Sequence, residues 1–355
     1  MHLPRAFTLY GAIMILVALL GAACTATPGA PTPAGPTPAA PTPAETDDGQ
    51  ETAQPTEPQQ TGTVRIGRGS LSIAYVPSEM AFERLTEMGY DLEITEFIST
   101  STQVQAAAEG LSDISTITAA ANVPALDAGL DFTFFLSRNL NEFVLVARSD
   151  LTTCESLDGL RVAVHSQTDI TGLLTSNWLE ENCPDANPDV QIVEGSENRL
   201  AGLLQDQLDA SPLDIQDTQL LLAERPDDFH VLANWVTEFP LLGGVYAAPP
   251  DWLAENEEFV KDFIRVHLDV WDEIYANPDL LVEEAVARLP QADPEILEAV
   301  AMEYLEFEVL PPDGDLSEEL VNQTLSFFAE AGGFENVGGF DEHANRSYLD
   351  EVLSE

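Results

Sequence analysis

Short apolar runs alternate with segments of helical periodicity along most of the chain. Runs of apolar and β-branched residues are typical of strands, and apolar residues three or four positions apart are typical of helices. The predicted strands are "TVRIG" (63–67), "DLEITEF" (91–97), "SDISTIT" (112–118), "FTFFLS" (132–137), "FVLVARS" (143–149), 161–165, "VQIVEG" (190–195) and "FHVLANW" (229–235). The predicted helices cover 77–89, 99–110, 169–182 and 197–208, then a segment between "DASPLDI" (209–215) and Arg225, and the chain after "LLGGVYAAP" (241–249). Alternating strands and helices predict parallel sheets covered by helices. Two such sets followed by a helical block predict two α/β lobes.

The N-terminus has a different pattern. Arg5 precedes an almost uninterrupted apolar run from Ala6 to Leu20, and small residues then lead to Cys24. This is the layout of a secretory signal peptide, predicted over 1–23. The junction resembles the lipobox of bacterial lipoproteins, which are cleaved before a cysteine that is then acylated, although Gly21 replaces the usual aliphatic residue. The alternative is an uncleaved transmembrane anchor, because an apolar run of roughly 18 residues can cross a bilayer. Both interpretations place the rest of the chain outside the cytoplasm.

Residues 24–61 carry the composition of a tether. The triplet Pro-Thr-Pro recurs among Ala and Gly, and the segment ends in the acidic, Gln-rich run "ETDDGQETAQPTEPQQ". It has no aromatic and no β-branched aliphatic residue, so it cannot bury enough apolar surface to offset its ordering entropy. We expect a disordered, semi-extended linker stiffened by proline.

The charge of the chain excludes one class of partner. Its 355 residues include 62 acidic and 13 basic side chains, for a net charge of -49. Nucleic acid is excluded, because binding a polyanion needs a basic surface. The acids are scattered, which favours a surface that stays hydrated in concentrated salt, as in salt-adapted proteins. A calcium-storing acidic protein is the alternative. The roughly 290 residues after the tether suffice for one large domain or two lobes.

The remaining cysteines predict a disulfide and no metal centre. Beyond Cys24 the chain has only Cys154 and Cys183, and such a pair in an exported protein usually forms one bond. The first precedes strand 161–165 and the second ends the next helix, so both lie at the N-terminal edge of that strand. This predicts a bond on the face away from a ligand cleft, since ligands of open α/β sheets bind beyond the carboxyl ends of the strands. No metal-binding or hydrolase motif occurs, and no cofactor is predicted. The run "PDGDLSEE" (312–319) is compatible with calcium but is more typical of a helix N-cap.

From Thr63 onward the order of these segments resembles a known family. The resemblance is to the extracytoplasmic solute-binding proteins for aliphatic sulfonates, taurine, nitrate and thiamine-type pyrimidines. It rests on "TVRIG", "YDLEITEF", "QVQAAAEGLSDIS", "CESLDGLRVAVHSQTDITGLL", "LLQDQLDASPLDI" and "NEEFVKDFIRVHLDVWDEIYANPDL", taken in that order.

The resemblance implies a fold and a function. The fold is the two-lobed type II periplasmic-binding-protein fold, with lobe one at 62–147 and 245–355 and lobe two with its hinge at 148–244. The hinge segments lie near residues 147 and 243, where Gly243 and Gly244 allow movement, and the C-terminal helices pack on lobe one. The implied protein is a monomeric, lipid-anchored receptor that delivers a small molecule to an ATP-binding-cassette (ABC) permease and is not an enzyme. The alternative is a pyrimidine-precursor synthase of the same superfamily, whose cysteine-rich motif is absent.

The carboxyl ends of the predicted strands give the candidate ligand-binding residues. Ligands of open α/β sheets bind beyond these ends, where helix N-termini direct free N–H groups. Lobe one contributes Arg68, Ser70, Ser72, Tyr75, Ser99, Thr100, Ser101, Thr116, Thr118 and Asn122, and lobe two contributes His165, Ser166, Thr168, Ser196, Arg199 and Asp214. Many of these hydroxyls have helix capping as their alternative role.

Two ligand classes fit these residues. A small anion would be held by amides and hydroxyls, with Arg68, His165 or Arg199 as its charge partner. A neutral or heteroaromatic ligand would stack on Tyr75, Trp235 or Tyr246 and use Asp214 as acceptor. The scarcity of basic residues slightly favours the second class.

Overall fold

The computed structural model describes residues 62–121, 131–332 and 337–355, except for the side chain of Thr100. The predicted signal peptide, the tether, the lipidation site Cys24 and the candidate Asn122 therefore lie outside the described residues. Within the described part, no helix has the length and apolar character needed to span a membrane.

The strands agree closely in position with the apolar runs. They are β1 (Thr63–Arg68), β2 (Asp91–Glu96), β3 (Ile114–Thr118), β4 (Thr133–Leu140), β5 (Phe143–Arg148), β6 (Arg161–Val164), β7 (Asp189–Ile192), β8 (Ala210–Asp214), β9 (Phe229–Ala233) and β10 (Leu242–Ala248). Most of these strands are buried along nearly their whole length, as expected for sheets covered on both faces.

Helices connect the strands and form the C-terminal block. They are α1 (Val76–Glu87), α2 (Thr100–Ala108), α3 (Ile170–Asn182), α4 (Ser196–Leu204), α5 (Ile215–Glu224), α6 (Trp235–Glu238), α7 (Pro250–Glu255), α8 (Glu257–Ala276), α9 (Pro278–Arg288), α10 (Pro294–Glu306), α11 (Glu318–Gly332), α12 (Phe340–His343) and α13 (Ser347–Leu353). Short 3₁₀ turns cover Ile73–Tyr75 and Cys154–Leu157.

The strands form two five-stranded sheets of matching topology. The first has the order β2-β1-β3-β10-β4, and the second has the order β7-β6-β8-β5-β9. Below, lobe one is the first sheet with its helices, and lobe two is the second sheet with its helices. The prediction of parallel sheets was wrong in one respect, because β10 and β5 run antiparallel to both of their neighbours. A buried apolar run does not encode the direction of the strands beside it.

The crossings between the sheets differ from the predicted hinge. Since β5 pairs with β8 and β9, the chain enters lobe two between Leu140 and Phe143, not near residue 147. It returns before β10, so Gly243 and Gly244 lie inside a strand of lobe one. A Cβ atom on Gly243 would lie 2.5 Å from the Leu140 carbonyl oxygen. These glycines therefore permit the close approach of β10 to β4.

The C-terminal helices contact both lobes, whereas the sequence predicted contact with lobe one alone. Helix α8 packs on α1 and α13, and its neighbour α9 continues this layer. Helix α10, however, packs on α5, and α11 packs on α3, both in lobe two. The helical block therefore bridges the lobes.

The structure forms the predicted disulfide between Cys154 and Cys183, with their Cα atoms 5.7 Å apart. Cys183 follows the last turn of α3, while residues at the start of that helix face the space between the sheets. A helix of this length extends about 20 Å at 1.5 Å per residue. The bond thus lies at the far end of lobe two.

The segment 312–319 forms a helix cap. Asp315 Oδ1 accepts a hydrogen bond from the Ser317 amide at 3.0 Å, and Ser317 Oγ accepts one from the Leu320 amide at 3.3 Å. Across the described ranges, no group of three or more His, Cys, Asp or Glu side chains is placed to hold a metal ion.

Candidate functional site

A cleft of about 450 Å³ lies between the carboxyl ends of the parallel strands of the two sheets. Its lining is Gly69, Ser70, Leu71, Ser72, Tyr75, Phe97, Ile98, Ser99, Gln103, Thr116, Ile117, Thr118 and Arg138 from lobe one, Glu142 and Phe143 at the crossing, and His165, Asp169, Thr171, Gly195, Ser196, Glu197, Arg199, Asp214, Gln216 and Asp217 from lobe two. The predicted residues among these are Ser70, Ser72, Tyr75, Ser99, Thr116, Thr118, His165, Ser196, Arg199 and Asp214.

Several of these side chains act as helix caps at the rim of the cleft. Ser99 Oγ accepts a hydrogen bond from the Thr102 amide at 3.3 Å, which caps α2. Asp214 Oδ1 accepts one from the Asp217 amide at 2.8 Å, which caps α5. Gly195 precedes α4 at φ 84°, a left-handed conformation that favours glycine. The N-termini of these helices thus converge on one space, as the sequence predicted from strand order.

Some predicted residues do not line the cleft. Arg68 is held by two carboxylates, with Nε 2.7 Å from Glu79 Oε1 and Nη1 2.6 Å from Glu96 Oε2, so its charge is already compensated. Ser101 and Thr168 are exposed outside the cleft. Ser166 also lies outside it, where its Oγ accepts a hydrogen bond from the Asp169 amide at 3.0 Å.

Trp235 and Tyr246 are core residues, so the prediction that they stack on a ligand was wrong. Both are fully buried. The Trp235 ring packs edge-on against Trp178, with ring centroids 6.2 Å apart. The Tyr246 hydroxyl lies 2.5 Å from Ser78 Oγ and 2.9 Å from His267 Nε2. Neither ring lines the cleft, because Trp235, the first residue of α6, packs against α3, and Tyr246, on β10, packs against α8.

The hydrogen bonds of His267 define its protonation. Its Nδ1 lies 2.7 Å from the Phe263 carbonyl oxygen, which can only accept, so Nδ1 carries the proton. Its Nε2 therefore accepts from the Tyr246 hydroxyl. Burial lowers the pKa of His267 to about 3, so the ring is neutral throughout the ordinary pH range.

Arg199 and His165 line the cleft but are committed to structural contacts. Arg199 is only 1% exposed and donates from Nε to the Pro212 carbonyl oxygen at 3.0 Å and from Nη1 to that of Val193 at 3.2 Å. Burial lowers the pKa of its guanidinium, although the charge of Asp214 opposes the shift. His165 Nδ1 accepts a hydrogen bond from the Gly195 amide at 3.1 Å.

The structure adds a basic residue that sequence reasoning missed. Arg138, on β4, is only 7% exposed and donates from Nη1 to the Ala74 carbonyl oxygen at 3.1 Å. Its guanidinium carbon lies 4.0 Å from the centre of the Tyr75 ring, so it covers one face of that ring. The available signal was an arginine that follows the apolar run Phe134–Leu136 near the end of this strand.

Several carboxylates line the cleft, and most of them were missed. Glu142, Asp169 and Asp217 join the predicted Asp214. Burial, reinforced by the charge of Asp214, raises the pKa of Glu142 to about 7 and that of Asp217 to about 8. Burial also raises the pKa values of Asp169 and Asp214. The carboxylates of Glu142 and Asp217 therefore titrate near neutral pH.

A direct hydrogen bond joins the two lobes across the cleft. The Ile73 amide of lobe one donates to Gln216 Oε1 of lobe two at 2.9 Å. The Tyr304 hydroxyl of α10 donates to Glu142 Oε2 at the crossing. The described structure thus has its lobes in contact across the cleft.

The sequence identifies the family. A family model described as NMT1/THI5 like matches residues 85–280, more than half of the 355 residues. The chain belongs to the NMT1/THI5-like family. No curated protein matches this family member at a significant level.

Solved structures show the fold of this NMT1/THI5-like protein. A ligand-binding component of an ABC-type import system from Staphylococcus aureus is similar over 82% of this chain and 99% of its own, with a TM-score of 0.68 and 11% identity. An alkanesulfonate-binding protein from Xanthomonas axonopodis pv. citri, bound to MOPS, is similar over 81% of this chain and 99% of its own, with a TM-score of 0.66 and 15% identity. A Candida albicans protein described as having the generic periplasmic binding protein structural fold is similar over 83% of this chain and 95% of its own. The TM-score is 0.60 and the identity 13%. The fold is therefore the predicted two-lobed periplasmic-binding-protein fold.

Proposed function

We propose that this NMT1/THI5-like protein is a solute-binding receptor that captures a small molecule between its lobes and delivers it to an ABC importer. The observation that carries the proposal is the cleft of about 450 Å³, which both lobes line and which the Ile73–Gln216 hydrogen bond crosses. Its volume lies within the range of roughly 300–1,000 Å³ that is usual for small-molecule sites. A structural neighbour described as the ligand-binding component of an ABC-type import system adds support.

The N-terminal sequence supports a position beside a membrane permease. Cleavage before Cys24 and acylation of that residue would anchor the protein outside the cytoplasm, and residues 24–61 would let the lobes reach the permease. In this proposal the receptor is a monomer, and its partners are the solute, the permease and the lipid surface.

The solute belongs to one of the two classes that the sequence allowed, a heteroaromatic or pyrimidine-type molecule or a small sulfonate- or nitrate-type anion. With Trp235 and Tyr246 buried, the aromatic residues that could contact a ring are Tyr75, Phe97 and Phe143.

Gln216 provides the test of cleft closure. Gln216→Ala removes the hydrogen bond to the Ile73 amide, so the closed, solute-bound state should lose about 0.5–1.5 kcal/mol, a roughly three- to tenfold loss of affinity. Isothermal titration calorimetry of the full chain, with a solute found by thermal-shift screening, measures this loss. Gln205→Ala is the matched control, because Gln205 is an exposed residue of lobe two whose side chain bonds only to Gln207. Equal affinities of the Gln216 variant and the parent would contradict the proposed closure.

A pyrimidine-precursor synthase of the same superfamily is the alternative function. A receptor returns its solute unchanged, whereas a synthase converts it. Recovery of chemically intact solute after prolonged incubation, checked by mass spectrometry, is the expected result. Conversion that scales with protein concentration would favour the enzyme.

A further inference from the structure

Arg138 differs from most of the basic residues that the structure describes. Nearly all their side chains form ion pairs with carboxylates. Within the described ranges, the arginines without an ion pair are Arg138 and Arg199, and both line the cleft. Arg199 donates to two carbonyl oxygens of its own lobe, and the charges of several neighbouring carboxylates act on its guanidinium. Its charge is thus compensated within lobe two, whereas that of Arg138 is not compensated in this way.

The guanidinium of Arg138 is fixed in place but lacks part of its hydrogen bonding. The residue is only 7% exposed, its Nη1 donates to the Ala74 carbonyl oxygen at 3.1 Å, and it covers one face of the Tyr75 ring. Its Nε is buried and has no hydrogen-bond partner among the described residues. A buried donor without a partner is costly, and the cost is larger for a charged group. In a cleft, such a donor indicates that a ligand supplies the missing acceptor.

Gly244, on β10, gives this guanidinium its space. A Cβ atom there would lie 2.6 Å from Arg138 Nη2 and 2.8 Å from Nε, so a larger residue would displace the guanidinium or cover that edge. Asn139 Oδ1 would lie 2.5 Å from the same Cβ atom, yet it is also buried without a partner and forms no hydrogen bond with Arg138. A neutral amide oxygen would in any case leave the charge uncompensated. The sheet therefore accommodates an arginine that the neighbouring side chains do not pair.

The carboxylates of the cleft, by contrast, already have hydrogen-bond donors from their own chain. Asp169 accepts hydrogen bonds from two amides at the start of α3, Asp214 caps α5, and Glu142 accepts a hydrogen bond from the Tyr304 hydroxyl. Burial and the charge of Asp214 raise the pKa of Glu142 to about 7, so this carboxyl, on which the charge of Arg138 acts, is partly protonated at neutral pH. These carboxylates therefore do not require a solute, and Glu142 compensates Arg138 only in part.

We infer that the captured solute carries a small oxyanion, of the sulfonate or nitrate type, and that Arg138 binds this group by donating from Nε. The inference rests on the proposed function and selects the anionic one of its two solute classes. A charge-assisted hydrogen bond to an oxyanion satisfies the buried donor and compensates its charge in one contact. Amides at the N-termini of α2, α4 and α5, which converge on the same cleft, also favour an anion.

This assignment reverses the preference that the sequence gave. The sequence offered Arg68, His165 or Arg199 as the charge partner of an anion, and the scarcity of basic residues favoured a heteroaromatic solute. Placement matters more than number, because a buried, unpaired guanidinium in a low-dielectric cleft attracts an anion far more strongly than exposed charges do.

Calorimetry of the full chain separates the two solute classes. The probes are ethanesulfonate and nitrate as anions, ethanesulfonamide as a neutral analogue of nearly the same shape, and cytosine as a neutral heterocycle. We expect ethanesulfonate to bind at least about tenfold more tightly than ethanesulfonamide, because only the anion compensates the charge of Arg138. A panel in which only cytosine binds, or in which the sulfonamide equals the sulfonate, overturns the anionic solute and leaves the receptor standing. A panel in which nothing binds overturns both.

Arg138→Gln removes the charge and keeps a polar side chain. It should weaken ethanesulfonate binding by at least about tenfold and abolish the preference for ethanesulfonate over ethanesulfonamide. A purely structural role of Arg138 would weaken the binding of both probes alike. Arg346→Gln is the matched control, because Arg346 lies outside the cleft and pairs only with Asp350.

A folded Arg138→Gln protein that retains the parent's preference overturns the role of Arg138. If this variant does not fold, Arg138→Lys replaces it, since lysine keeps the charge but lacks the Nε donor. The lysine variant should bind ethanesulfonate about threefold or more weakly than the parent does, and an unchanged affinity overturns the contact through Nε.

Discussion

The carboxylate of Glu142 occupies the short link between the two sheets. It accepts a hydrogen bond from Tyr304, and burial and the charge of Asp214 raise its pKa to about 7 from an ordinary value of 4.5. Between these two values the folded protein holds a proton that the unfolded chain has lost. The stability contributed by protonated Glu142 is therefore complete below about pH 4.5 and is lost as the pH rises through about 7.

Glu142→Gln should flatten this pH dependence. At about pH 8 we expect the variant to be more stable than the parent by on the order of 1–3 kcal/mol, and near pH 4.5 we expect little difference. Urea denaturation across this range measures the effect. His267 contributes a pH dependence of the opposite sign, because its pKa is lowered to about 3 and its contribution to stability is lost as the pH falls below about 6.5. Both proteins contain His267, so this contribution cancels in the difference between them. Glu224→Gln, at the exposed end of α5, is the control. Parallel pH curves for the parent and the Glu142 variant would contradict the assignment.

At the residue scale, the sequence predicted the place of the cleft better than the role of each side chain. The carboxyl ends of strands identified Ser99, His165 and Asp214, because strand order is a local pattern. The sequence could not show that Arg68 pairs with Glu96, because that contact depends on the register of two strands.

At the element scale, local periodicity predicted where helices and strands lie along the chain, but not which strands pair with each other in a sheet. The helix predicted over 169–182 is found at Ile170–Asn182, since the pattern that predicts it is local. Strand β5 was also predicted in place, yet it belongs to the other lobe. The same apolar run would suit either sheet, and only tertiary pairing decides between them.

The disulfide at the end of α3 should stabilise lobe two without affecting the cleft. Cys154 and Cys183 are separated by 29 positions, and closing a loop of that size stabilises the folded state by about 3–4 kcal/mol in the chain-entropy model. A variant with both cysteines replaced by serine should lose about this amount in denaturation and retain its solute affinity. Reductant should destabilise the parent and leave the variant unchanged. Two maleimide-reactive thiols in the native, unreduced parent would contradict the bond.

At the scale of the whole molecule, the excess of acidic side chains determines how stability responds to salt. The net charge is -49, and most described basic residues are already paired. The remaining surface acids repel one another, and raising the salt concentration from about 0.1 M to about 1 M shortens the Debye length from roughly 10 Å to 3 Å. We therefore expect stability to rise with salt through screening, in addition to the general strengthening of apolar burial by some salts.

Glu180 and Glu181 allow the screening contribution to be isolated. Both are exposed in the last turn of α3, where the helix dipole disfavours negative charge, and neither forms an ion pair within the described residues. Replacing both with glutamine should raise stability in about 0.1 M KCl by on the order of 0.5–1 kcal/mol, and this gain should disappear near 2 M KCl. Chemical denaturation of the parent and the variant at both concentrations measures the difference. The control is glutamine at Glu318 and Glu319, which are exposed in the first turn of α11 and form no ion pair within the described residues. There the dipole favours negative charge, and the same substitutions should bring no such gain. If the Glu180/Glu181 variant and the parent gain equal stability from salt, screening of surface acids is not the cause, and the salt response comes from apolar burial.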